Sequence, residues 1–166
     1  NNPSSKFNLI GITGTKGKTT TTFMVKSILE KHGQKVGLIG TVANYIGNKS
    51  LGESARTTPE SLELQELFAK MVEEKVDTVV MEVSSQGLML HRTAGIPFEI
   101  GIFTNLGEDH IGPNEHKDFD DYKRCKGLLF KQCKIGIANC DDEHFEDVFK
   151  EATCKIETFG FKEGAD

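Results

Sequence analysis

Residues 11–20 form a glycine-rich run that contains two lysines and several threonines. The preceding segment, 7–12, is short and largely apolar like a buried strand, whereas residues 19–32 carry apolar side chains at helical spacing. Glycines at a strand-to-helix junction let backbone N–H groups approach an anion, and a helix N-terminus favours negative charge. In such a loop Lys18 can reach the β- and γ-phosphates of a nucleoside triphosphate, and Thr19 can bind Mg²⁺. The run therefore predicts a phosphate-binding loop.

The match to the usual phosphate-loop pattern, G-x-x-x-x-G-K-[S/T], is incomplete because Ile12 stands where the first glycine belongs. The alternative is a glycine-rich turn whose basic residues are incidental. The core of the pattern, residues 17–19, still falls between a predicted strand and a predicted helix, which favours the phosphate loop. Such a loop indicates a nucleoside triphosphate but does not identify the reaction, which depends on residues elsewhere.

Two further predicted strands end in polar residues. Glu82 lies in the apolar strand 77–83, and the strand 99–104 runs into a polar loop that ends at His110. Ligands of doubly wound sheets bind beyond the carboxyl ends of the strands, so both side chains are expected near the nucleotide. Glu82 could hold Mg²⁺, and His110 could be a metal ligand or an acid–base group. The alternatives are a strand-end Glu that faces solvent and a solvated loop His.

Polar residues in two further segments are weaker indications of a functional site. Ser84 and Ser85 follow the strand that carries Glu82, and they could hydrogen-bond a polar substrate or cap the next short helix. Lys126 falls within the predicted helix 119–130. A lysine on the buried side of a helix is unusual and indicates a function, whereas a snorkelling side chain with a solvated amine is the alternative.

Apolar segments of strand length alternate with amphipathic segments of helix length along the chain. This alternation is typical of βαβ units and predicts an α/β fold, a doubly wound, mostly parallel sheet of the P-loop kind with helices on both faces. The predicted strands are 7–12, 35–39, 41–46, 77–83, 99–104, 134–138 and 155–159, the predicted helices are 19–32, a segment after Pro59, 119–130 and 142–151, and residues 47–50 are predicted to be a loop.

Two of the predicted helices carry more detailed expectations. In the first, Ile28 and its apolar neighbours are expected to lie near one face of the helix. In the second, Leu62 is expected on or near the buried face. Thr58 is expected to act as a cap and Pro59 to lie in the first turn of that helix.

The composition is that of an ordinary folded protein. The 166 residues are 37% hydrophobic and 27% charged, which fits one domain or part of a larger protein. The formal charge of −5 argues against a nucleic-acid partner, and the apolar runs are too short to cross a membrane. Four cysteines without a C-x-x-C pair predict free thiols in a reducing cytosol, with a disulfide pair as the alternative. Residues 1–6 are predicted to be a linker, and the absence of an initiating Met predicts an internal piece of a longer chain.

Taken together, these motifs resemble the central domain of the Mur ligases, the ATP-dependent amide ligases of bacterial peptidoglycan precursor synthesis. The family's phosphate loop is G-T-x-G-K-[S/T]-[S/T], a variant that accounts for the missing early glycine. Glu82 resembles the family's metal-binding Glu, and the pair Asp109 and His110 resembles its Asp-His motif. Lys126 aligns with the lysine that the family carbamylates to bind a second Mg²⁺. By this resemblance the ATP-binding residues are Gly14, Thr15, Lys16, Gly17, Lys18, Thr19 and Thr20.

Within the family, the chain looks most like the MurE branch, which adds the third residue of the stem peptide to UDP-MurNAc-L-Ala-D-Glu. The resemblance implies a cytoplasmic enzyme that uses this acceptor, an amino acid, ATP and Mg²⁺. The family's N-terminal uridine-binding and C-terminal amino-acid-binding domains are absent here, so residues 7–166 would be an incomplete central domain that is inactive alone. The residues implied to contact the acceptor are Thr57, Thr58, Ser84 and Arg92.

The chain departs from the family's pattern in several places. Many relatives continue the Asp-His motif with a further Asp, whereas this chain has Ile-Gly-Pro at 111–113. The path from there to Tyr122 is also longer than is common, which leaves the role of His116 open. Arg56 occupies a place often held by Asn, and Leu90 one often held by Gln, which would reshape the contacts with the dipeptide.

The resemblance implies amide-bond formation through an acyl phosphate. A carboxylate of the acceptor attacks the γ-phosphate of ATP, and the amino group of the next amino acid then displaces phosphate. Thr19 and Glu82 would hold one Mg²⁺, and Glu82, His110 and carbamylated Lys126 would hold a second. Lys18 and the loop amides would neutralise charge on the transferred phosphoryl group. A ligase similar to folylpolyglutamate synthetase and a nucleotide-binding module without ligase activity are the alternatives.

Overall fold

The computed structural model describes residues 2–109, 111–113 and 115–166. Strands and helices alternate around one sheet, and two short 3-10 helices, Pro3–Ser5 and Leu128–Lys131, accompany them. The strands are Asn8–Thr13 (β1), Val36–Ile39 (β2), Ala43–Ile46 (β3), Lys49–Glu53 (β4), Thr78–Glu82 (β5), Phe98–Phe103 (β6), Cys133–Asn139 (β7) and Lys155–Phe159 (β8). The helices are Lys18–Lys31 (α1), Ser61–Glu73 (α2), Ser85–Met89 (α3), Phe119–Gly127 (α4) and Phe145–Phe149 (α5).

The strands form one sheet in the order β4-β3-β2-β5-β1-β6-β7-β8, and β3 is antiparallel to both of its neighbours while the other pairs are parallel. Because side chains alternate along a strand, β1 contributes to two cores. Ile10 and Ile12 face one side, where Leu29 of α1 packs, whereas Leu9 joins the core that contains Phe68 of α2. The predicted α/β class, with a mostly parallel sheet and helices on both faces, is confirmed.

The central strand β1 lies between β5 and β6. Ile10 is opposite Val80 of β5 on one side and Ile100 of β6 on the other. All three strands are parallel, so their carboxyl ends meet at one edge of the sheet, where Glu82 is opposite Ile12. Ligands of such sheets bind beyond that edge, next to the segments that follow each strand.

A hairpin at one edge of the sheet replaces half of a predicted loop. Residues 47–50 are predicted to be irregular, but β4 begins at Lys49 and only Gly47 and Asn48 lie between the paired strands. Gly47 has a φ of 55°, which glycine adopts without strain. β4 carries one large apolar residue, Leu51, so pairing with β3 rather than hydrophobic periodicity defines it.

Two residues are misplaced on predicted helix faces whose other members, such as Leu29 of α1 and Phe68 of α2, pack against the sheet as expected. Ile28 is 56% exposed and Leu62 is 74% exposed. In α1 the buried positions are Thr22 and Lys26, while Val25 and Leu29 are partly buried against the core that contains Ile12. Leu62 lies two residues before Leu64, the first residue of the buried stripe of α2, and the helical rotation between them turns Leu62 toward solvent.

The expected cap of α2 is also wrong. The helix begins at Ser61 with Glu60 as N-cap, so Pro59 precedes the helix rather than lying in its first turn. Thr58 is fully buried, and its hydroxyl donates to the carbonyl oxygen of Glu82 at 3.1 Å. The Thr58 hydroxyl therefore bonds to the end of β5 and does not cap α2, contrary to the prediction from the sequence pattern.

The helices of the C-terminal half are shorter than predicted. The predicted helix 119–130 ends at Gly127 and tightens into a 3-10 turn, as helix ends often do. The predicted helix 142–151 is reduced to α5, because the Asp142 carboxylate accepts the His144 N–H at 2.9 Å and makes a turn there.

The N-terminal segment is more ordered than the predicted linker. The predicted linker contains a 3-10 helix in which Ser4 is buried and bonds to the side chain of Asn2. All four cysteines are free thiols, as predicted. None of the helices in the described ranges is long and apolar enough to span a membrane.

Candidate active site

Backbone conformation shapes residues 14–20, which comprise the loop after β1 and the first turn of α1 and which we call the phosphate loop. Gly14 has a φ of 150°, and a Cβ atom there would lie 1.9 Å from the hydroxyl oxygen of Thr104. Gly17 has a φ of 83° and is the N-cap of α1, and no side chain caps this helix. The N-terminus of α1 therefore presents backbone N–H groups toward an anion. Lys16 and Thr20 are the other exposed members of the loop.

The segment after β6 braces the phosphate loop. The side chain of Asn105 accepts the Lys16 N–H at 2.9 Å and donates to the Lys16 carbonyl oxygen at 3.0 Å. The Thr104 hydroxyl donates to the same oxygen at 2.8 Å, and the Thr15 N–H donates to the Asn105 carbonyl oxygen at 2.8 Å. Neither Thr104 nor Asn105 was predicted individually as a site residue. Both follow β6, which pairs with β1, and this position is the feature of the sequence that indicates a role.

Two lysines converge on the carbonyl oxygen of Gly14. Lys18 Nζ donates to it at 2.8 Å and to the Thr15 carbonyl oxygen at 3.2 Å, and Lys126 Nζ donates to it at 3.0 Å. Lys126 is 1% exposed, and its amine lies 4.3 Å from the centre of the Tyr122 ring. Burial lowers the pKa of Lys126 to about 7, with a further contribution from the charge of Lys18. Burial also lowers the pKa of Lys18.

Glu82 is 1% exposed at the end of β5, and its carboxylate faces the start of α1. It accepts the Thr19 hydroxyl at 3.0 and 3.1 Å, the Thr41 N–H at 2.9 Å and the Thr41 hydroxyl at 3.0 Å. A Cβ atom on Gly40 would lie 2.3 Å from Glu82 Oε1, so the carboxylate occupies space that only glycine leaves open. Thr41 was not predicted as a site residue. It lies just after the end of β2, which is the other strand that pairs with β5.

A cleft of about 280 Å³ lies next to Lys18. Three of the residues implied to contact the acceptor line it, whereas Thr58 lies behind its wall. Thr58 Oγ1 accepts the Ser84 N–H at 2.9 Å, and Ser84 Oγ accepts the Gly87 N–H at 3.0 Å as the N-cap of α3. We call this the basic cleft, and its lining residues are Lys18, Arg56, Thr57, Ser84, Ser85, Gln86 and Arg92.

The charged side chains of the basic cleft are positive. Arg92 is nearly buried, and its guanidinium contacts Glu60 at 2.9 Å and the Thr58 carbonyl oxygen at 3.2 Å. Its buried Nε has no hydrogen-bond partner within the part of the chain that the structure describes. Arg56 contacts the same Glu60 carboxylate at 3.4 Å. Two arginines share one carboxylate beside Lys18, so the cleft fits an anionic ligand.

His116, whose role the sequence leaves open, is buried between helices. Its Nε2 lies 2.9 Å from Ser85 Oγ, and its Nδ1 lies 3.2 Å from Asp121 Oδ2. Its ring centre is 5.1 Å from that of Tyr122. The expected metal ligand His110 lies outside the described residues.

Comparison with known proteins agrees with this geometry. Residues 12–166 match the family described as Mur ligase middle domain. The UDP-N-acetylmuramoyl-L-alanyl-D-glutamate--2,6-diaminopimelate ligase 1 of Clostridium acetobutylicum is 59% identical over 99% of this chain and 34% of its own length. The corresponding ligase of Clostridium botulinum is 55% identical over the same shares of the two chains. The chain thus spans about a third of the length of these relatives.

Solved structures show the same relationship. A UDP-N-acetylmuramoyl-L-alanyl-D-glutamate--2,6-diaminopimelate ligase structure superposes with a TM-score of 0.86 at 28% identity, covering 96% of this chain and 33% of that one. A folylpolyglutamate synthase of Mycobacterium tuberculosis, solved with ADP and AMPPCP, superposes with a TM-score of 0.71 at 14% identity over 94% of this chain and 43% of its own. The second likeness shows the shared fold alone. With a family match over nearly its whole length and the phosphate loop in place, the chain belongs to the Mur ligase family as a middle domain.

Proposed function

We propose that this chain is the ATP-binding part of an amide ligase that joins diaminopimelate to UDP-MurNAc-L-Ala-D-Glu through an acyl phosphate. The observation that carries the proposal is the position of Lys18, which belongs to the phosphate loop and also lines the basic cleft. A group that reaches both an ATP phosphate and an anionic acceptor is what phosphoryl transfer between them requires. The relatives that are 55–59% identical carry this ligase name, which supports the choice of diaminopimelate.

ATP binding is assigned to residues 14–20. The α1 N-terminus and the loop amides would hold the phosphates, and Lys18 would turn from the Gly14 and Thr15 carbonyl oxygens toward the γ-phosphate. There its charge would neutralise the charge that develops on the transferred phosphoryl group. Residues 7–166 would form this domain, with residues 1–6 as its linker.

The residues around Glu82 fit Mg²⁺. A buried carboxylate with the Thr19 hydroxyl within 3.1 Å offers the hard oxygen ligands that this ion prefers. Bound there, Mg²⁺ would neutralise phosphate charge during transfer. Thr41 would orient the carboxylate through its N–H and hydroxyl groups.

A second Mg²⁺ is assigned to Glu82, His110 and carbamylated Lys126. A carbamate forms when a neutral amine attacks CO2 and releases a proton, which turns a cation into an anionic oxygen ligand. Lys126 suits this step because burial lowers its pKa to about 7, so much of the amine is neutral near neutral pH. Its side chain already reaches the phosphate loop at Gly14.

The acceptor is assigned to the basic cleft. Arg92, Arg56 and Lys18 would bind its carboxylates and phosphates, and Thr57 and Ser84 would add hydrogen bonds. The D-Glu carboxylate would attack the γ-phosphorus, and ADP would leave. The amine of diaminopimelate would then attack the acyl carbon, with loss of phosphate and a proton.

The test uses the full-length protein that contains this chain. ADP release is measured with UDP-MurNAc-L-Ala-D-Glu plus diaminopimelate, and separately with a folate acceptor plus glutamate. We expect release with the muramyl acceptor only, and a loss of about 10²–10³-fold in Lys18→Ala. Lys31→Ala, an exposed lysine at the far end of α1, is the matched control and should keep full turnover. Release with the folate acceptor alone would favour the folylpolyglutamate alternative, and ATP binding without release would favour a non-catalytic module.

A further inference from the structure

Three side chains, from α3, α4 and the segment before α4, form a continuous hydrogen-bonded chain next to the basic cleft. Asp121 Oδ2 lies 3.2 Å from His116 Nδ1, and His116 Nε2 lies 2.9 Å from Ser85 Oγ. Asp121 belongs to α4, and Ser85 is the first residue of α3. His116 is 1% exposed and Ser85 is 4% exposed, and Ser85 also lines the cleft. The arrangement therefore joins a partly buried carboxylate and a buried imidazole to the cleft wall.

The partners of His116 fix the direction of one of these hydrogen bonds. Arg124 donates to Asp121 at 2.7 Å and, chiefly through this bond, lowers the pKa of the Asp121 carboxyl. An ionised carboxylate only accepts hydrogen bonds, so His116 Nδ1 carries a proton. In the tautomer whose single proton is on Nδ1, Nε2 has a free lone pair and accepts the Ser85 hydroxyl proton. The Ser85 oxygen then has lone pairs left and no proton to give.

The charged groups of the basic cleft, Lys18, Arg56 and Arg92, are hydrogen-bond donors only. Among its uncharged groups, Gln86 is exposed to solvent, whereas Ser85 is the buried hydroxyl that His116 contacts. A peptide-bearing ligand carries amide N–H groups in addition to its anionic carboxylates and phosphates. When the ligand excludes water from the cleft, these N–H groups need a hydrogen-bond acceptor on the protein.

We propose that Asp121 and His116 hold the Ser85 hydroxyl so that its oxygen accepts a hydrogen bond from an amide N–H of a peptide-bearing acceptor. Ser85 is then a further binding residue of the basic cleft, and His116 is a positioning residue that acts through it. The inference rests on the proposed function, because it assigns the ligand of that same site.

Kinetics of the full-length protein test the binding half of the proposal. Ser85→Ala removes the acceptor, so KM for the muramyl dipeptide should rise about 5- to 10-fold, the worth of one hydrogen bond, while KM for ATP stays unchanged. His116→Ala should raise the same KM. His116→Gln, whose amide oxygen can replace Nε2 as a partner for Ser85, should restore much of the loss. Unchanged acceptor KM in Ser85→Ala would overturn the inference.

A spectroscopic measurement tests the positioning half without turnover. Nitrogen-15 chemical shifts of the His116 ring in the full-length protein should show the proton on Nδ1, and Asp121→Asn should alter them. A proton on Nε2, with or without a second proton on Nδ1, would overturn the proposed direction. If the wild type turns over and Ser85→Ala is kinetically normal, this inference alone falls, whereas absence of wild-type turnover with the muramyl acceptor overturns the proposed function.

Discussion

The phosphate loop and the basic cleft share Lys18 but are built in different ways. The loop is one contiguous run whose shape comes from backbone, with Gly14 packed against Thr104. The cleft is assembled from segments that meet only in the folded chain, joined by side-chain bonds such as that of Thr58 to the Ser84 N–H. A site made of backbone should fail when a backbone position changes, and a site made of side chains should fail when one hydrogen bond is removed.

Lys126 tests whether the two regions act together, because it contacts the loop from α4. In the full-length protein Lys126→Ala should lower kcat by about 10²–10³-fold, the loss typical of one charge-stabilising group, while ATP affinity changes little. Turnover assays with saturating ATP measure the first effect and calorimetric titration the second.

Two companion variants separate chemistry from packing at this position. Lys126→Met keeps the buried volume but cannot form a carbamate, so it should be as slow as Lys126→Ala. Lys123→Ala removes a lysine of the same helix that pairs with Asp147 and Asp120, and it should keep full turnover. Normal turnover in Lys126→Met would remove the carbamate from the proposal.

The same contrast explains what the sequence could predict. The phosphate loop, Glu82 and Lys126 could be named as candidates because each belongs to a local pattern: a motif, a strand end, a buried helix face. Ser85 is 31 residues from His116, and their contact depends on how α3 packs beside α4. Hydrogen bonds of that kind leave no local periodicity.

The elements of the fold also divide into those that a local sequence pattern predicts and those that depend on tertiary contacts. The central strands are continuous apolar runs and were predicted nearly to the residue. In contrast, β4 has an exposed, polar sequence and exists through its pairing with β3. Ile28 of α1 is exposed, although Val25 and Leu29, predicted for the same face, pack against the core. Apolar spacing therefore identifies the buried face of a helix but not the burial of each residue at its border.

Gly14→Ala tests the backbone origin of the phosphate loop. The new methyl carbon would overlap the Thr104 hydroxyl oxygen at 1.9 Å, and the φ of 150° is strained for alanine. Backbone strain of this kind costs on the order of 1–3 kcal/mol, so affinity for ATP should fall about 10- to 100-fold. Isothermal titration with a non-hydrolysable ATP analogue and Mg²⁺ measures the change.

Gly107→Ala is the matched control for that substitution. Gly107 also contacts the loop region, through its N–H to the Thr15 hydroxyl at 3.0 Å, but a Cβ atom there would meet nothing within 4 Å. Its affinity for ATP should equal that of the wild type. Equal weakening by both substitutions would mean that the loop is generally sensitive, and the special role of Gly14 would be refuted.

Thr58→Val tests the side-chain origin of the basic cleft. Valine has nearly the same shape as threonine but cannot accept the Ser84 N–H or donate to the Glu82 carbonyl oxygen, and the site is fully buried. Leaving these groups unpaired should lower the free energy of unfolding by about 1–2 kcal/mol, measured by urea denaturation of this chain. Thr153→Val, at an exposed position, should change it by less than about 0.5 kcal/mol. If both variants are equally stable, the Thr58 hydroxyl does not hold α3 against β5. The cleft wall must then depend on close packing between Thr58 and α3. Such packing exists at Gly87, where an added Cβ atom would lie 2.8 Å from Thr58 Cβ.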